Sequence, residues 1–191
     1  MTTRLHLLCS ASTSSVGSVA FPADEPLDVR GRESLAKFVG KFPSCDVVLR
    51  GPALCGAQTA EGLALQAIVD PVLRDCDFGR WTGHSFADIQ ASVPDEVARW
   101  LQDPRAAPHG GESFADVMIR IGKWLDDLLS GSGSILAITH ASVVRAAIAH
   151  VLGTGPEVFR HIDVAPLTRA SLSGGGGRWK LVSLISPRDL R

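Results

Sequence analysis

The sequence predicts an α/β fold: a three-layer α/β/α sandwich on a mainly parallel six-stranded sheet with an antiparallel edge. Three observations predict it. Short apolar runs bounded by Gly, Pro and small polar residues alternate with segments of helical period, the signature of parallel strands crossed by helices. The segment Ser113–Leu129 places Phe114, Val117, Met118, Ile121, Leu125 and Leu128 on one stripe of an amphipathic helix. The tail holds two strand-like runs, Thr168–Leu172 and Trp179–Ile185, joined by Gly174–Gly177, which reads as a hairpin at a sheet edge.

Taken in order, Arg4–Leu8 reads as a first, central strand, and Ser10–Ser18 as a loop of small polar residues. Asp28–Val39 follows as a helix with Leu35, Phe38 and Val39 inward. Val47–Arg50 has the apolar character of a strand buried on both faces, and Gly51-Pro52 ends it. A helix over Ala57–Leu65 and a strand over Gln66–Val69 come next. Leu73–Gly83 is a loop rich in acidic, aromatic and glycine residues. Phe86–Ala91 and Glu96–Leu101 are short helical pieces separated by Pro94. After the long helix, Gly131-Ser132-Gly133 is a stop, Ser134–Thr139 a strand and Ser142–Leu152 a helix closed by Gly153. No repeat and no linker interrupts the pattern, so residues 1–191 are expected to form one domain.

Composition narrows the function. A 45% hydrophobic, 20% charged chain with a net charge of -1 gives no general electrostatic basis for binding nucleic acid or an anionic membrane. No run approaches the roughly 20 apolar residues of a membrane-spanning helix. The apolar stretch before Cys9 is too short for a secretion signal, which makes the cytoplasm the expected compartment. Cys9, Cys45, Cys55 and Cys76 lack CxxC spacing and are expected as free, mostly buried thiols. Trp81, Trp100, Trp124 and Trp179 are expected in packing roles, and His109, beside two glycines, in a turn.

His140 carries the chemistry. It ends an apolar strand and opens a helix, a usual place to bind an anion. Thr139-His140-Ala141 with Val144-Arg145 resembles the second-histidine motif of the histidine phosphatase (phosphoglycerate mutase-like) superfamily. Three further segments resemble that family in its order: Pro52-Ala-Leu-Cys55-Gly-Ala-Gln58-Thr59-Ala60-Glu61, Leu73-Arg-Asp75-Cys-Asp-Phe-Gly-Arg-Trp-Thr-Gly83 and Gly110-Gly-Glu112-Ser113. The resemblance covers nearly the whole chain and implies the family's phosphoglycerate mutase-like fold.

The departures gather at the positions where the family does its chemistry. The family holds a phosphate with two arginines and two histidines, one of which takes the phosphoryl group. By this resemblance the first arginine position is Cys9, the nucleophile position Ser10, the following glycine Ala11 and the second arginine position Cys55; the general-acid glutamate becomes Asp75. His140 alone is unchanged. Charge-assisted hydrogen bonds to a buried anion are worth roughly 1.5–3 kcal/mol each. Losing both arginines therefore costs on the order of a thousandfold or more in phosphate affinity. Losing the nucleophile removes the covalent path itself, and a serine hydroxyl needs a base to replace it.

The resemblance thus implies a catalytically impaired or inactive pseudophosphatase with a binding or regulatory role, its pocket taking a small phosphorylated metabolite or anion. Two alternatives stay open: an active phosphatase or mutase on a small phosphoester working by an altered mechanism, and a thiol- or metal-dependent enzyme using Cys9, Cys55 and His140. The candidate catalytic residues are His140, Asp75 and Ser10, the last as a vestigial nucleophile position. The candidate ligand-binding residues are Cys9, Thr13, Arg50, Cys55, Glu112 and Ala141, with Arg50, at a strand end, the best replacement for a lost arginine. Arg74, Arg80 and His84 sit on the loop expected over the pocket. No resident metal or cofactor is implied, and a homodimer is expected by family analogy.

Overall fold

A computed structural model describes residues 2–40 and 44–187. Its sheet has six strands: β1 (Thr3–Cys9), β2 (Val47–Arg50), β3 (Ile68–Val69), β4 (Gly133–Thr139), β5 (Arg169–Gly175) and β6 (Arg178–Ile185), in the order β3-β2-β4-β1-β5-β6. The β3-β2-β4-β1 pairings are parallel, and β5 and β6 form the antiparallel edge. Among the described residues seven α-helices accompany it: α1 (Ser14–Ser18), α2 (Val29–Ala36), α3 (Leu54–Gly62), α4 (Phe86–Ser92), α5 (Pro94–Gln102), α6 (Phe114–Leu128) and α7 (Ala141–Val151). Helices α6 and α7 pack on one face of the sheet through Leu5, Leu7, Val117, Ile121, Leu125 and Ala147. Helices α2 and α3 cover the other through Leu8, Leu35, Cys55, Ala60 and Ile138.

β1 is central because both its faces are apolar: Leu5, Leu7 and Leu8 are wholly buried. Strands β1 and β4 lie side by side and end together, Cys9 opposite Thr139. From these ends the chain leaves toward opposite faces, to α2 after β1 and to α7 after β4. This is a switch point, where a crevice opens beyond the strand ends.

Several elements depart from the sequence expectation for nonlocal reasons. Helix α3 starts three residues early, at Leu54, because Asp24 Oδ1 accepts its amide at 2.7 Å from a distant loop. Within the expected Ser10–Ser18 loop a short helix, α1, forms. Helix α2 stops at Ala36; Leu35 and Phe38 are buried, but the following turn carries Val39 outward, 53% exposed. Strand β2 is not buried on both faces, since only the two-residue β3 flanks it outside and Val47 faces solvent. Pro94 opens α5 at its first turn, where a missing N–H costs nothing. Ser113 is the N-cap of α6 in a capping box with Asp116. The hairpin turns at Gly176-Gly177, both at positive φ, as a two-residue connection of this twist requires.

Candidate functional site

The crevice at the β1/β4 ends is a cavity of about 490 Å³. Its floor comes from three directions. β1 delivers Cys9 and Ser10, the start of α3 delivers Cys55, and the start of α7 delivers His140 and Ala141. The floor is pinned by backbone bonds, Ser10 N–H to the Thr139 carbonyl at 2.7 Å and Cys9 N–H to the Thr168 carbonyl at 2.9 Å. Asp75, Thr13, Ser15, Glu25, Ser142 and Arg145 complete the polar lining, and the walls include Val16, Val19, Phe21, Phe86, Trp100 and Phe114.

His140 and Asp75 form the charged centre. His140 Nδ1 lies 3.3 Å from Asp75 Oδ2, and Asp75 Oδ1 accepts from the Ser142 hydroxyl at 2.5 Å and the Cys76 amide at 2.8 Å. Burial by itself disfavours both charges. The Asp75 carboxylate and its hydrogen bond nonetheless hold His140 above the usual histidine range. In return the His140 charge, with the Ser142 and Cys76 donors, keeps Asp75 below the usual carboxylate range. Asp75 therefore stands as a carboxylate at neutral pH rather than as a proton donor.

The other floor groups are neutral. The Ser10 hydroxyl donates to the Thr139 carbonyl at 2.9 Å. Burial, with Asp75 nearby, pushes the Cys9 thiol up to about 12. Burial likewise pushes Cys55 up to about 11, although the Ser10 hydroxyl opposes it. Both are thiols, not thiolates, at neutral pH, and a thiol is a poor nucleophile and metal ligand. Among the described residues no group of three or more His, Cys, Asp or Glu side chains is placed to hold a metal ion.

Seven of the sequence-nominated residues thus share the cavity: His140, Asp75, Ser10, Cys9, Thr13, Cys55 and Ala141. Thr13 is the N-cap residue of α1, its hydroxyl 3.0 Å from that of Ser15. Two others stand outside the lining. Arg50 folds back along its own chain, Nη1 donating to the Gly51 carbonyl at 3.0 Å. Glu112 is engaged by Arg120, Nε to Oε1 at 2.8 Å and Nη2 to Oε2 at 2.9 Å, and by Arg74 at 2.8 Å. Arg120 also donates to the carbonyls of Val72, Arg74 and Asp75, so this clamp fixes the loop that presents Asp75. Arg80 pairs with Glu96 on the surface.

The arginine that does line the cavity is Arg145, whose Nε donates to the Ile162 carbonyl at 2.8 Å. Arg145 stands in the second turn of α7, and the sequence marks it only as part of the motif Thr139-His140-Ala141 with Val144-Arg145, without a nominated role. His109 sits in a turn but is only 2% exposed, its Nδ1 accepting from Gly111 N–H at 3.1 Å beside Phe78 and Trp81.

The family model for the histidine phosphatase superfamily (branch 1) matches residues 13–186. A bifunctional protein of Mycobacterium tuberculosis is 35% identical over 121 residues, which is 61% of this chain and 33% of that protein. The chain thus spans about a third of the length of this relative. The structure of a mycobacterial glucosyl-3-phosphoglycerate phosphatase with VO3 superposes with a TM-score of 0.80 at 26% identity, covering 93% of this chain and 96% of that one. The alpha-ribazole phosphatase from Shigella flexneri shares the fold, with a TM-score of 0.84 at 23% identity and 96% coverage of both chains.

Proposed function

The chain belongs to the histidine phosphatase superfamily, and from that premise we propose that it is a catalytically impaired or inactive member that binds a small phosphorylated metabolite or anion in the remnant pocket, in a binding or regulatory role. The observation that carries this reading is the cavity floor. Cys9, Ser10 and Cys55, all neutral, line the place where the resemblance puts an arginine, the nucleophilic histidine and a second arginine. Ser10 has Thr139, not a base, as its hydroxyl's acceptor, so nothing activates it for attack. Asp75 is held ionised by His140 and cannot supply a proton to a leaving group at neutral pH.

Fixed charge argues the same way. A phosphoryl group passing through its transition state needs donors and cations converging on its oxygens. Here the lining cations His140 and Arg145 face the lining carboxylates Asp75 and Glu25. The thiol-dependent alternative is disfavoured by the two protonated thiols, and the metal-dependent one by the placement of the His, Cys, Asp and Glu side chains among the described residues. The test is hydrolysis of p-nitrophenyl phosphate and a panel of phosphorylated metabolites by the native protein beside His140→Ala. We expect no turnover above buffer in either. Turnover by the native protein that disappears in His140→Ala would show a working pocket and overturn the reading.

A further inference from the structure

The charges that line the cavity cancel: Asp75 and Glu25 against His140 and Arg145. His140 is spent on Asp75 at 3.3 Å. Glu25 accepts from the Ser14 hydroxyl and from Ser15 N–H at 3.3 Å, which leaves it a fixed negative charge in the lining. Arg145 is the remaining cation. Its Nε is taken by the Ile162 carbonyl, and its two terminal nitrogens have no protein acceptor among the described residues. A guanidinium in that state offers a planar fork to a carboxylate.

The walls point to an apolar body on the same ligand. Val16 and Val19 line the cavity while 54% and 68% exposed, beside Phe21, Phe86 and Trp100. Val19 caps α1 at φ 51°, ψ 58°, in the left-handed region. A β-branched residue is a genuine outlier there, where glycine is the default. The chain thus keeps an exposed valine at a strained position on the cavity wall, and strain of this kind collects at ligand clamps.

Resting on the reading of the cavity as a binding pocket, we propose that it takes a monocarboxylate with an apolar or aromatic body, its carboxylate on Arg145 and its body against Val16, Val19, Phe86 and Trp100, in preference to a phosphate dianion. One negative charge matches one uncommitted cation. A second would sit in a lining that already holds two carboxylates.

Calorimetric titration of the native protein with 3-phenylpropionate, phenyl phosphate and 3-phenylpropanol tests this. We expect 3-phenylpropionate to bind about tenfold or more tighter than either of the others. Arg145→Gln should lower that affinity about tenfold. Val19→Gly relieves the backbone strain, so its unfolding temperature should hold or rise while 3-phenylpropionate affinity falls severalfold, a combination that a purely structural valine would not give. Equal or tighter binding of phenyl phosphate or 3-phenylpropanol, no binding of 3-phenylpropionate, or affinity unchanged in Val19→Gly would overturn the inference, even if Arg145→Gln failed to fold. Release of phenol from phenyl phosphate would overturn instead the reading of impaired catalysis, and the two failures are distinguishable in the same sample.

Discussion

The His140–Asp75 pair shows how a single residue's environment decides its chemistry. Each partner is buried enough to lose hydration, and each recovers stability only through the other and, for Asp75, through Ser142 and Cys76. Linkage fixes the pH window. The folded pKa of His140 lies above its ordinary 6.5, so its contribution is full below 6.5 and is lost as pH rises through the raised value. That of Asp75 lies below its ordinary 3.8, so its contribution is full above 3.8 and is lost as pH falls through the lowered value. Both are fully present between 3.8 and 6.5. Asp75→Asn should therefore destabilise by about 1–3 kcal/mol in that window, and the deficit should shrink as pH rises above it. Urea unfolding of both proteins across that range checks it; a deficit independent of pH would show that packing, not charge, holds the pair. His140 was legible from sequence, because a strand end followed by a helix start marks an anion position, whereas Asp75, on a loop, was nominated only by the resemblance. Which arginine faces the cavity was not legible. Sequence reasoning nominated Arg50 for its place at a strand end, and only the fold turns Arg50 onto the Gly51 carbonyl and sets Arg145 in the lining.

Among elements, the segments that present the floor are held by close approaches and clamps. A Cβ on Gly31 in α2 would lie 2.3 Å from the Ser12 carbonyl oxygen, a backbone atom with no rotamer to escape into. Gly31→Ala should cost about 1–3 kcal/mol by overpacking and shift the 10–13 segment, read as changed backbone NMR signals at Ser10 to Thr13. Unchanged signals there would mean that α2 yields instead. The Glu112–Arg120 clamp is largely buried, the two side chains 15% and 12% exposed. Without Arg120, Glu112 keeps only the half-exposed Arg74 and the Asp77 amide, so Arg120→Ala should cost about 1–3 kcal/mol. Hydrogen exchange should then quicken in residues 72–77, where Arg120 holds the carbonyls of Val72, Arg74 and Asp75; uniform quickening across the chain would argue against a local clamp. Helix α6 was legible nearly to the residue because its apolar stripe and its capping box are local signals. The start of α3 was not, because its cap is Asp24, 30 positions away in sequence.

For the whole molecule, the six-stranded sheet and its layers follow from alternating elements and a hydrophobic first strand, and the switch point follows from the strand order. The cavity walls were illegible for a different reason. Phe21, Phe86, Trp100 and Phe114 come from four separate segments that share no period, and they meet only when the region around α4 and α5 folds over the sheet end. In the proposed reading scaffold and floor are separable: the fold belongs to the family, while Cys9, Ser10 and Cys55 stand where the resemblance puts the groups that would hold and accept a phosphoryl group. The most direct measurement is p-nitrophenyl phosphate turnover by the native protein beside the triple variant Cys9→Arg, Ser10→His, Cys55→Arg, between about pH 5 and 8. We predict no native turnover above buffer and a measurable, His140-dependent rate in the triple variant. Native turnover equal to or above that of the triple variant would contradict a catalytically impaired floor.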